Sequence, residues 1–109
     1  MKNRNKFEAD IEFLSKLCKS IGHPARISIL LFLKENGPST CQDIVNKLPY
    51  SQSTVSGHLQ KLKEDNYIHL KLYKTSSIYS IQIDTIKELQ KSVQDVFGLK
   101  PEKKQLSLF

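Results

Sequence analysis

The sequence is short of most residues that give a small protein special chemistry. It has two cysteines, one methionine, no tryptophan and only four glycines in 109 residues. Two cysteines exclude a disulfide framework. Neither Cys18 nor Cys41 sits in a Cys-x-x-Cys pair or a histidine-rich stretch, so reduced, buried thiols are the expected state. No apolar run approaches the ~20 residues that span a bilayer. The segment Met1-Lys2-Asn3-Arg4-Asn5-Lys6 leads into an amphipathic stretch with no leader-type cleavage site, so the expected location is cytoplasmic. No glycine-rich phosphate loop, nucleophile elbow or paired-carboxylate motif is present, and a chain of this size offers little room for a deep catalytic site; no enzymatic activity is expected. Acidic residues are also scarce. Eleven Asp and Glu against seventeen Lys and Arg leave a net charge of +6, which favours polyanionic partners and would double in a dimer.

What is present is periodic. Hydrophobic residues make up 39% and charged residues 26% of the chain, the balance of one compact soluble domain. Phe7, Ile11, Leu14, Leu17 and Cys18 recur at helical spacing and predict a first helix that ends near Ile21-Gly22, with Gly22 as a left-handed cap. Pro24 suits the first turn of a second helix, to about Asn36, with His23 as linker or N-cap. This helix is apolar on nearly every side and should be the central core helix; Arg26, Ser28 and Lys34 form its wet edge. Gly37-Pro38 stops it. Ser39 and Gln42 have the spacing of a capping box for a short third helix over residues 40–47, burying Cys41, Ile44, Val45 and Leu48.

After the turn Leu48-Pro49-Tyr50, Ser51 is placed to cap a fourth helix, and Tyr50 to staple onto Val55. Val55, Leu59 and Leu62 make one apolar stripe. The opposite face carries small hydroxyl and amide side chains and Gly57, which costs about 1 kcal/mol against alanine in a helix interior. Such a face suits insertion into a DNA major groove, where base edges are read by hydrogen bonds and phosphates by cations. An ordinary serine-rich surface helix is the competing reading. A short turn between two such helices is that of a helix-turn-helix.

Beyond Asn66, a residue tolerant of the left-handed conformation, the period drops to two. Ile68, Leu70 and Leu72, then Tyr79, Ile81 and Ile83, predict a hairpin with Lys74-Thr75-Ser76-Ser77 at its tip, the wing of a winged helix. Asp84 should cap a last helix bearing Ile86, Leu89, Val93, Val96 and Phe97. Two amphipathic terminal helices exceed what one small core needs, so Phe7, Ile11, Leu14, Leu89, Val93, Val96 and Phe97 are expected to pair two copies. The expected organisation is a flexible N-terminus over residues 1–6, a mainly α winged helix-turn-helix domain over 7–97, with about five helices and one two-stranded hairpin, and a tail over 98–109.

Two segments carry a family resemblance. Gly22-His23-Pro24-Ala25-Arg26-Ile27-Ser28-Ile29-Leu30, and Ser51-Gln52-Ser53-Thr54-Val55-Ser56-Gly57-His58-Leu59 with Gln60-Lys61-Leu62 after it, resemble the ArsR/SmtB family of winged-helix repressors, over about residues 7–97. The resemblance implies a dimeric, sequence-specific DNA-binding regulator, expected to be a repressor. Gln52, Ser53, Thr54, Ser56 and Gly57 would face base edges, with His58 at the margin and Gln60, Lys61, Lys71, Lys74 and Thr75 nearer phosphate. Departures are equally plain. Gly57 stands where a larger, often basic residue is common, Asn66 where glycine is usual, and the wing tip lacks a glycine. The family's thiolate metal motif corresponds here to Thr40-Cys41-Gln42-Asp43-Ile44, without the second thiol that soft-metal binding needs, and its terminal-helix zinc site would need histidines that Asp84-Thr85-Ile86 and residues 87–97 lack. No metal or other cofactor is therefore expected. His23, His58 and His69 are scattered, and each has a structural explanation. The ending Gln105-Leu106-Ser107-Leu108-Phe109 resembles a bacterial sliding-clamp-binding pentapeptide, giving an alternative role as a protein adaptor through Gln105, Leu106, Leu108 and Phe109. A winged helix serving protein contacts only is a third reading.

Overall fold

The computed structural model describes residues 5–100. Along the chain run α1 (Lys6–Ile21), α2 (Pro24–Asn36), α3 (Cys41–Lys47), α4 (Gln52–Glu64), β1 (Ile68–Tyr73), β2 (Ser76–Ile81) and α5 (Ile83–Phe97). The core forms where α2, α3 and α4 meet the base of the hairpin: Ile29, Leu33, Ile44, Val55, Leu59, Leu62, Tyr67 and Ile68 are all but fully enclosed. Leu17, Ile21, Cys41, Val45, Leu48, Tyr50, Tyr79 and Ile81 pack half-buried around it. The expected inward faces of the third and fourth helices are thus the observed ones.

Local chemistry sets most boundaries. Pro24 opens α2 with His23 at the N-cap, where the missing amide proton costs nothing. Ser51 caps α4 by accepting from the Thr54 amide, and Asn66 takes the left-handed conformation that ends it (φ 64°). Elsewhere the structure differs from the sequence reading, and long-range pairing explains most differences. Ser39 does not cap α3. Its backbone exchanges two hydrogen bonds with Tyr79 of β2, at 3.0 and 2.8 Å, so the cap passes to Thr40, which completes a capping box with Asp43. Asp84 likewise does not cap α5. The Gln82 amide donates to the Tyr67 carbonyl at 2.8 Å, which closes the hairpin one residue early, makes Gln82 the N-cap and puts Ile83 in the helix rather than a strand.

Gly22 is not left-handed (φ −76°). Its lack of a side chain serves close approach, since a Cβ there would lie 3.3 Å from the Cys18 carbonyl oxygen. The hairpin tip is tighter than expected. Six residue pairs run from Ile68↔Ile81 to Tyr73↔Ser76, so Ser76 and Ser77 belong to β2 and only Lys74-Thr75 makes the turn, with Lys74 itself at positive φ (56°). The hairpin also outruns the core, leaving Leu72 70% exposed near its tip. Finally, α2 is less buried than its composition suggests. Ala25, Ile29, Leu30 and Leu33 face α4, β2 and α1, whereas Ile27 and Leu31 stay exposed.

Tyr67 ties the C-terminal half to the first helix, its hydroxyl donating to the Leu17 carbonyl at 2.8 Å. Burial, with smaller contributions from Cys18, Asp65 and Glu88, pushes this phenol up to about 12. The folded state therefore holds its proton more tightly than the unfolded chain, whose tyrosines titrate near ~10. The stabilisation is complete below that value and is lost as pH rises through the folded value. Thermal melts should show stability falling between about pH 10 and 12, with the fall reduced in Tyr67→Phe, itself about 1 kcal/mol less stable at neutral pH for want of the hydrogen bond.

Candidate nucleic-acid interface

The apolar stripe of α4 is fully buried, and this fixes the helix's roll about its own axis. Gln52, Ser53, Thr54, Ser56, Gly57 and Gln60 are consequently exposed. The hydroxyls at the start of the helix form a cluster: Ser51 Oγ donates to Thr54 Oγ1 at 2.9 Å and lies 3.3 Å from Ser53 Oγ. Gln60 reaches forward along the helix and donates to Glu64 at 3.4 Å. Gly57 has open space around it, because a Cβ built there meets no atom within 4 Å. Among the described residues nothing explains this glycine.

His58 and Lys61, grouped with these residues on sequence, are placed differently. His58 is half-buried and faces α2, where its Nδ1 accepts a 3.0 Å hydrogen bond from Arg26 Nε. The Arg26 guanidinium also donates to the Ser20 carbonyl at 2.8 Å, and the His23 ring lies 5.8 Å from that of His58. Burial first, then the charges of Arg26 and His23, hold the His58 imidazole below its usual range, so it is a neutral acceptor that fastens α4 to the start of α2. Sequence reasoning gave Arg26 only a place on a wet edge; a contact between residues 32 apart leaves no periodic signal. Lys61 is exposed but turned toward Asp65, 3.6 Å away.

Behind α4 the hairpin presents Lys71, Lys74 and Thr75, all exposed. Lys74 Nζ lies 5.7 Å from the centroid of the Tyr73 ring, a distance at which cation and ring attract. The structure thus brings forward a hydroxyl- and amide-bearing helix face and a cationic hairpin tip, both held by the same core.

The proposed pairing residues lie on α1 and α5, which pack along each other within one chain. Leu14, Leu89, Val93 and Val96 are half-buried and Ile11 is exposed, while Phe7 and Phe97 remain 59% and 69% exposed. The thiols depart from expectation. Cys18 is exposed, because Leu14, Leu17 and Ile21 take the inward side of α1. Cys41 is half-buried, and burial pushes its thiol up, away from the reactive thiolate. Among the described residues no three His, Cys, Asp or Glu side chains gather as a metal site would require. The pentapeptide Gln105–Phe109 lies outside the described residues.

Four helices ahead of a two-stranded wing, the last of them carrying an exposed polar face, define a winged helix-turn-helix. Residues 23–69 match the family model for the bacterial regulatory proteins of the arsR family. A protein of Methanocaldococcus jannaschii named as an HTH-type transcriptional regulator is 33% identical over 85 residues, 78% of this chain and 96% of the relative. The chain belongs to the ArsR family of transcriptional regulators, which are not enzymes. Solved structures agree on the fold. An ArsR-like transcriptional regulator from Rhodococcus sp. RHA1 superposes with a TM-score of 0.71 at 14% identity, covering 78% of this chain and 79% of that one. NolR from Sinorhizobium fredii gives 0.67 at 21%, covering 92% and 100%. The homodimeric winged helix-turn-helix DNA-binding domain of a possible ArsR-family regulator from Mycobacterium bovis gives 0.65 at 21%, covering 98% and 99%.

Since Gly57 meets nothing in the folded chain, Gly57→Ala should raise stability by about 1 kcal/mol through helix propensity alone. A denaturant titration that shows a loss instead would mean that the open space is not there.

Proposed function

We propose that this protein is a homodimeric, sequence-specific repressor that inserts α4 into the DNA major groove and sets its wing against the backbone. The observation that carries the reading is the face of α4. Its exposed residues are small hydrogen-bonding side chains around a glycine that no intramolecular contact requires, as expected where a duplex comes close. In this reading Gln52, Ser53, Thr54, Ser56 and Gly57 meet base edges, Gln60 and the wing residues Lys71, Lys74 and Thr75 meet phosphates, and His58 acts from behind by holding the helix through Arg26. Lys61 serves the backbone only by leaving Asp65. Repression follows from occupancy, since a dimer lying across a promoter excludes polymerase from the same DNA.

Dimerisation is supported by the exposed aromatic and aliphatic side chains at the ends of α1 and α5, and by the likeness to the homodimeric M. bovis domain. Two copies related by a two-fold axis would offer their reading helices to successive major grooves, about 34 Å apart. Ile27, Leu31, Leu89 and Val93 add an apolar groove of about 750 Å³ between α2 and α5, continuous with that surface through α5. The repressor works without the family's thiolate metal site, because Thr40 and Gln42 stand where thiols would be needed.

Operators selected from genomic fragments should be inverted repeats. On such a site, Lys74→Ala should weaken all duplexes alike and reduce the salt dependence of binding by about one ion, whereas Ser53→Ala or Ser56→Ala should relax sequence preference. An unchanged salt slope in Lys74→Ala removes the wing from the interface. Ile11→Glu with Phe97→Glu should turn the sedimenting species from dimer to monomer, since both side chains are solvent-exposed in the single chain and a charge there is unfavourable only when a partner covers it.

A further inference from the structure

Next to the Arg26–His58 contact lies a concave site of about 420 Å³ that DNA reading does not use. Lys16 and Lys19 of α1, His23 and Arg26 at the start of α2, and Lys61 of α4 all line it, against one carboxylate, Asp65. That carboxylate is already engaged. The Ser20 hydroxyl donates to it, and Lys61 lies 3.6 Å away. With Lys61 and Asp65 offsetting each other, the positive charges of Lys16, Lys19 and Arg26 remain. The N-terminal end of α2, thirteen residues long, opens on the same cavity, and its N-cap side chain, His23, makes no capping hydrogen bond; the helix dipole adds positive potential there. Cations gathered from three separate elements repel one another, and an anion seated among them relieves that repulsion.

One wall is apolar. Phe13, 49% exposed, and Leu17 stand beside the lysines. A flat stretch of DNA backbone has no use for a concave site with an aromatic side, whereas a small ligand with both an apolar body and a charged end fills one.

We propose that this cavity binds a small organic anion, an aromatic body bearing a phosphate or carboxylate, and that its occupancy is passed to the DNA-reading helix through Arg26. The transmission is short. The guanidinium that faces the cavity donates to His58 of α4 at 3.0 Å, and Lys61 of the same helix lines the site. An anion that draws Arg26 and Lys61 toward itself loosens the first contact and competes with Asp65 for the second. The reading helix then differs between the free and bound states, which is the differential interaction an effector needs, and DNA and ligand change each other's affinity by the same factor. This transmission rests on the DNA-binding reading; the binding site itself does not.

Phenyl phosphate is the probe, with phenol and inorganic phosphate as controls, titrated into the full chain without DNA and followed by backbone NMR. Saturable shifts should centre on residues 16, 19, 23, 26 and 61, with phenyl phosphate binding more tightly than either control. The double variant Lys16→Ala, Lys19→Ala removes two exposed side chains outside the core and should weaken binding roughly tenfold. At constant ionic strength, saturating phenyl phosphate should change operator affinity for the unaltered chain and not for the double variant. Shifts that fail to saturate at millimolar concentrations, or that spread evenly over the surface, overturn the proposal. So does a double variant that binds phenyl phosphate unchanged while its salt dependence on DNA falls by about two, because those lysines would then serve the DNA backbone. If no duplex is bound at all, the DNA reading fails, and the titration without DNA still decides whether the cavity is a site.

Discussion

The burial of Val55, Leu59 and Leu62 on one side of α4 constrains everything else in this molecule. The three side chains are completely enclosed, and at roughly 1.5–3 kcal/mol for each buried aliphatic residue no modest rotation of the helix is tolerated. Once that stripe is seated against α2 and α3, the remaining side chains have no choice of direction. The hydroxyl and amide face must point outward, and Gly57 must stand in the open. An exposed polar face is thus obtained from the same packing that makes the domain stable, with no separate element to hold it.

Three polar ties reinforce this arrangement. Arg26 to His58 fixes the middle of α4 against the start of α2. Ser20 to Asp65 joins the end of α1 to the end of α4, and the Tyr67 hydroxyl joins the base of the hairpin back to α1. Hydrogen bonds of this kind contribute little net energy each, but a buried or half-buried group that loses its partner carries the full cost of desolvation, so they select one relative placement of the elements. They also connect the cationic cavity to the helix it would influence. The wing is built on the opposite plan. Its base is anchored at Ile68 and by the Ser39–Tyr79 bridge, while its tip extends beyond the core and leaves Lys71 and Lys74 exposed.

Much of this was legible in the residues because it is local. The 3.6 and 2.0 periodicities found every helix and the hairpin. The serine at 51, the proline at 24 and the asparagine at 66 marked boundaries through their own backbone chemistry, and the short turn before a serine-rich helix marked the helix-turn-helix. Where the reading failed, something distant had in most cases intervened. Ser39 has the composition of a cap and was taken by a strand forty residues away; Asp84 likewise, displaced because Gln82 was needed to close the hairpin on Tyr67. Cys18 follows the apolar spacing of α1 and still lies exposed, since only a neighbour can decide which edge of a stripe is covered.

The sequence by itself therefore determined the elements, the apolar stripe of α4, the positive charge and the family, all properties carried by neighbouring residues. Tertiary structure decided which polar groups found distant partners, that His58 is half-buried against Arg26, and that cations from α1, α2 and α4 line one cavity. Those outcomes depend on pairs 32, 45 and 50 residues apart, and no spacing rule along the chain describes a contact that exists only after the core has closed.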